Sequence, residues 1–139
     1  MTDSRAVSEI TVAMVTGHHE YDVVALQTLC RGIPEIDPYP QNMEDFVTDT
    51  RNSPEQYEVL VFYNYHLPTP GSSGDELGER MKMSLDSLGE TRQGILVLHH
   101  AIVAFPGWQK WSDICGIQDR TSGSEREHPI TITPADPDH

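Results

Sequence analysis

Positive charge is scarce in this sequence: 9 Lys and Arg stand against 22 Asp and Glu, a formal net charge of −13 over 139 residues. A surface that grips phosphates needs the opposite surplus, so nucleic acid is disfavoured as a partner, and so is an anionic membrane. Long apolar runs are missing too. None approaches the roughly eighteen residues of a membrane helix, and the opening MTDSRAVSEI holds no stretch of signal-peptide length. Cysteine is rare. Cys30 and Cys115 lie far apart without CxxC spacing, and in an unexported chain they read as reduced core residues. The expectation is a soluble, acidic, cytoplasmic protein with one domain spanning residues 1–139, of which 1–9 form a flexible tail.

Common chemical fingerprints are also absent. There is no GxGxxG and no GxxxxGK run, so a nucleotide held by either is not expected, and Gly71-Ser72-Ser73-Gly74 reads as a plain turn. Without GxSxG the usual serine-hydrolase elbow is missing, and without HExxH the commonest zinc-protease helix is missing.

What is present is a set of short apolar runs separated by turn residues. Ile10–Thr16 (ITVAMVT), Tyr57–Tyr63 (YEVLVFY) and Ile95–Leu98 (ILVL) read as buried strands. Tyr21–Arg31 predicts a helix with Val24, Leu26, Leu29 and Cys30 near one face, stopped by Gly32. Asp75–Leu88 spaces Leu77, Met81, Leu85 and Leu88 as a helix does, and Trp108–Cys115 predicts another. Glu35–Tyr39 is a proline-weakened edge strand, Asn42–Asp49 a brief helix, and His128–Thr133 a last edge strand. Strands alternating with amphipathic helices predict an open α/β fold with a parallel sheet; the weaker alternative is a loop-rich all-β fold.

Ligands of such sheets bind beyond the carboxyl ends of the strands, and the histidines collect there. His18-His19-Glu20 follows the first strand, Asn64-Tyr65-His66 the second and His99-His100 the third. Histidine moves protons near neutral pH and is the commonest metal ligand, though it also settles in turns without function. His99, His100 and His18 are the candidate catalytic residues. His18 and Glu20, two apart and on one side of extended backbone, together with His99 form a candidate set for a divalent metal such as zinc; the alternative is an acid–base site without metal. His19 would then point away. Tyr21, Asn64, Tyr65, His66, Glu20 and Trp108 are candidate substrate contacts. Each has a plain alternative: half-buried aromatics for the tyrosines, turn formation for Asn64, core packing for Trp108 beside Trp111. Asp22 stands where it would complement a helix dipole.

The strand ending Thr16-Gly17-His18-His19-Glu20, then VLVFYNYHL, then above all GILVLHHAIVAFPGW, resembles the ThuA-like (trehalose utilisation) family of the class I glutamine amidotransferase-like group. The resemblance runs from about Ile10 onward. It implies a flavodoxin-like three-layer sandwich and a role with a small carbohydrate, trehalose or a related disaccharide or keto-sugar. The elbow that carries a nucleophilic Cys in amidotransferase relatives reads Leu98-His99-His100-Ala101 here, so glutamine hydrolysis through a thioester is not expected. Family domains continue into a further His-Pro-Ile-Thr segment and an acidic, Tyr-containing motif. Here His128-Pro129-Ile130-Thr131 sits before that segment, and a domain cut short at its C-terminus is the expectation. An uncovered sheet face would then favour a homo-oligomer. A non-catalytic sugar-binding or interaction module, or an inactive fragment, is the alternative function.

Overall fold

The computed structural model describes residues 9–49, 54–123 and 129–136. Four parallel strands form one sheet: β1 (Ile10–Gly17), β2 (Ile36–Asn42), β3 (Val59–Asn64) and β4 (Gly94–Val97), in the order β2-β1-β3-β4. Helices α1 (Val23–Arg31), α2 (Met43–Thr48), α3 (Glu76–Asp86) and α4 (Gln109–Cys115) complete an α/β sandwich of flavodoxin-like type. A 3₁₀ turn, His99–Val103, follows β4.

Side-chain chemistry fixes the helix starts. Asp22, Asn42 and Asp75 each stand in extended conformation and accept from a backbone N–H three residues on, at 2.9, 2.8 and 2.7 Å. Each pairing satisfies one of the orphan donors at a helix N-terminus. Asp22 is therefore the cap of α1. At the other end of α4, Gly116 takes φ 68° and closes the helix through its N–H. The prolines of β2 are accommodated because the strand is an edge. Ile10 N–H donates to Glu35 O, so odd-numbered residues face β1 and the missing N–H groups of Pro38 and Pro40 fall outward.

The two faces of the sheet differ. On one, α2, α3 and α4 pack over Ala13, Val15, Leu60 and Phe62, with Phe46, Leu85, Phe105 and Trp111 filling the space between. Phe62 and Trp111 meet edge to face at 5.1 Å, and the indole N–H donates to Ala101 O at 2.8 Å. The other face carries a smaller cluster, Val12, Met14, Val61 and Cys30, with Leu26 packed beside it. Here the predicted apolar face of α1 needs correction: Leu26 and Cys30 pack inward, but Val24 is 75% and Leu29 64% exposed. Leu96 on β4 and Leu98 just after it are exposed on this side as well.

One expected strand is not formed. Residues 129–133 form no strand, and His128 lies outside the described residues. The outer edge of β4 is left unpaired among the described residues. Among them, too, no helix is long and apolar enough to cross a membrane. The asymmetry gives a stability test. Trp111→Ala should cost about 3–5 kcal/mol in denaturant unfolding, and Leu29→Ala about 0.5 kcal/mol or less. Comparable losses would mean that the α1 face carries a core of its own.

Candidate functional site

The connection from β1 runs outward to β2, and the next returns across β1 to β3. That reversal opens a crevice at the carboxyl ends of β1 and β3, where open α/β sheets bind ligands. β1 ends in Gly17 at φ 137°, and His18 follows at φ 53°. A Cβ on Gly17 would stand 2.8 Å from Cε1 of His66, so glycine is required for close approach as well as for conformation. The turn sends the next two side chains apart. His18 joins one group of histidines and His19 another.

The first group is His18, Glu44 and His66. The imidazole rings of His18 and His66 stack at 4.0 Å between centroids with 18° between planes. Both Nε2 atoms approach Glu44 Oε1, at 3.6 Å from His18 and 3.4 Å from His66. His66 is buried and Glu44, in the first turn of α2, is half-buried. Asn64 is buried at the end of β3, and its amide nitrogen lies 3.1 Å from Nδ1 of His66, which fixes the ring's orientation. Burial lowers the His66 pKa below the usual histidine value, and the neighbouring His18 lowers it further while Glu44 partly opposes. The crevice above this group, about 260 Å³, runs along the loop that includes Pro68, Thr69 and Ser72.

The second group is His19, His99 and His100. His99 and His100 bring their Nδ1 atoms to 2.8 Å, a distance at which one nitrogen donates and the other accepts. His99 holds φ 55° between β4 and the 3₁₀ turn, an uncommon conformation for a residue with a side chain. His19 lies 4.3 Å from the His100 ring and 5.2 Å from that of His99, and its buried Nδ1 has no hydrogen-bond partner among the described residues. Tyr63 flanks His19 and His99, and Tyr65 flanks His100 at 5.1 Å. Partial burial lowers the His100 pKa, and the charges His99 and His19 would carry lower it further.

Several expected placements change. His18, His66 and His99 do not open into one crevice: His18 and His66 line one, His99 and His100 another. Glu20 is exposed and joins neither group, because the turn after Gly17 breaks the extended backbone on which a His18/Glu20 pairing depended. The set His18, Glu20 and His99 is thus not assembled; Glu44 stands where Glu20 was expected. His19 does point away from His18, and the side it turns to holds His99 and His100. Tyr21 meets Tyr63 at 5.9 Å and Thr16 at 3.5 Å, on the α1 side. Trp108 packs edge to face on Phe105 at 5.8 Å and stays at the rim of the core.

Three residues of these surroundings had no distinguishing mark in the sequence. Glu44 is one carboxylate among 22, and Tyr63 reads as a strand aromatic. Arg120 is the third. Its guanidinium donates to the carbonyls of Ile102 at 3.1 Å, Phe105 at 2.9 Å, Trp108 at 3.5 Å and Ala104, and to Ser112 Oγ at 3.0 Å. It pins the segment that carries the His99–His100 elbow onto α4. Arg120→Lys cannot reproduce a five-donor fork, so it should destabilise nearly as much as Arg120→Ala, by about 2–3 kcal/mol. Hydrogen exchange across 101–108 should quicken in both variants. Full rescue by Lys would reduce the contact to one of charge alone. Comparison with protein-family models, with curated proteins and with solved structures yields no match for this chain.

Proposed function

We propose that this chain is a ThuA-like domain that binds a small carbohydrate and transforms it by proton transfer at His99 and His100. The observation that carries the reading is the 2.8 Å contact between the two Nδ1 atoms on a turn held at positive φ. In a pair so close, one Nδ1–H donates to the other Nδ1. Partial burial, then the neighbouring His99 and His19, lower the His100 pKa, and with the two Nδ1 atoms bonded to each other a neutral pair leaves one Nε2 that accepts and one Nε2–H that donates. On a keto-sugar, one imidazole would take a proton from a hydroxyl or from the carbon beside the carbonyl, and the other would return a proton to the carbonyl oxygen.

The surroundings suit such a ligand. The crevice beside the pair measures about 470 Å³ and is lined by Tyr65, His99, His100, Ile102, Val103 and Ser122, a mixture of hydroxyls and apolar faces that matches a sugar. No thiol competes for the elbow: Cys30 is buried on α1 and Cys115 ends α4. The two free cysteines accord with a cytoplasmic setting, the acidic charge with a small-molecule rather than nucleic-acid partner, and the exposed β4 leucines with pairing to a second copy.

A panel of disaccharides and keto-sugars, followed by NMR for both binding and turnover, tests the reading. His99→Ala and His100→Ala should each lower turnover at least about 100-fold while binding stays within a few fold. Binding without turnover of any member would favour the non-catalytic module; no binding of any member would overturn the carbohydrate reading. The pH profile has a definite sign. Because the His100 pKa lies below the ordinary histidine value, the rate should be level at neutral pH and fall only well below about pH 6.5. A fall centred above that value would show that the pair is not the base.

A further inference from the structure

We infer that His18, Glu44 and His66 form a divalent-cation site of zinc type, separate from the His99–His100 pair and independent of what that pair does. The donor distances are those of a coordination shell, and the stacked rings of His18 and His66 must splay for both Nε2 lone pairs to meet one ion. Zinc–nitrogen and zinc–oxygen bonds of about 2.0–2.2 Å set neighbouring ligand atoms of a tetrahedron about 3.3–3.5 Å apart. The two imidazole nitrogens stand 3.4 and 3.6 Å from the same carboxylate oxygen. All three atoms lie within 4.8 Å of one another. With that as the longest side of the triangle, a point in its plane lies at most about 2.4 Å from each atom, a few tenths of an ångström from a zinc bond.

Three further features favour a cation here. The ligands are two imidazoles and one carboxylate, a set that zinc sites keep when a fourth position is left open. That position faces the crevice beside Pro68 and Thr69. Asn64 lies behind Nδ1 of the buried His66: its amide nitrogen donates to Nδ1 here, and the amide turned over would present its oxygen to the Nδ1–H of a metal-bound histidine. Its amide serves either ring tautomer, offering a donor in one orientation and an acceptor in the other. Finally, His18 is half-exposed, and its ring can turn from the stack to converge on a shared ion.

The neighbouring group differs. Its three imidazoles also lie within ligand reach of one another, but the 2.8 Å hydrogen bond between the Nδ1 atoms of His99 and His100 already occupies one nitrogen of each. Gly17 is the divider, since it allows His66 to come under β1 while the chain turns.

The test is a zinc titration of the untagged, metal-stripped full chain against a chromophoric chelator. The wild type should bind zinc, and Glu44→Gln, which keeps shape but loses the anion, should weaken it at least tenfold. His18→Asn should do the same, and both sites are exposed enough that thermal unfolding should stay near wild type. His100→Gln should change zinc affinity less than threefold. The inference is overturned if the wild type binds no zinc, if Glu44→Gln and His18→Asn bind as the wild type does, or if His100→Gln abolishes binding while Glu44→Gln spares it. Zinc binding is read without any sugar and sugar turnover without zinc, so the two readings fail separately.

Discussion

How β1 ends decides what the rest of this site can be. Gly17 sits between the carboxyl terminus of the central strand and the ring of His66, with space for a hydrogen and none for a methyl group. Its φ of 137° and the φ of 53° at His18 bend the chain so sharply that consecutive histidines diverge. One side chain goes toward α2 and the other toward the end of β4. Without that bend, alternation along an extended strand would set His18 and Glu20 on one side and His19 on the other. Two groups with different chemistry result from one turn. A carboxylate completes the first, and a short imidazole–imidazole hydrogen bond defines the second.

The sheet beneath supports these groups unevenly. The residues that position them belong to the well-packed face: Phe105 touches both His66 and Trp111, and Trp111 in turn holds Ala101 next to His100. Arg120 ties the carbonyls of the same segment together. Strain at His99 and Phe105, both at positive φ, is tolerated because packing and hydrogen bonds on that side over-determine the loop. The α1 face contributes a smaller cluster and leaves Leu29, Leu96 and Leu98 exposed.

The fold was legible in the sequence because its signals are local. YEVLVFY and ITVAMVT can bury a strand on both faces, and Asp75 with the spacing of Met81 and Leu85 can cap and pack a helix. The strand ends were legible for the same reason, so the histidines were placed at the right edge of the sheet. Which histidine meets which partner was not. It depends on Gly17 adopting a positive φ and on α2 carrying Glu44 across from another crossover, neither of which leaves a periodic trace. The faces of α1 misled because periodicity shows which residues share a side, not whether anything covers it. The segment around Ile130 and Ile132 alternates as a strand does, yet it forms none although the outer edge of β4 is open: alternation alone does not bring a segment to an edge.

The central claim is that the histidines beyond the sheet form two groups of different chemistry rather than one. Long-range ¹⁵N–¹H spectra of the histidine rings, recorded as zinc is added to the metal-free chain, test it directly. The account predicts that Nε2 of His18 and His66 shift toward metal-bound values together, while His99 and His100 keep the signature of their Nδ1–Nδ1 hydrogen bond. A single titration in which His19, His99 and His100 move with His18 would contradict it.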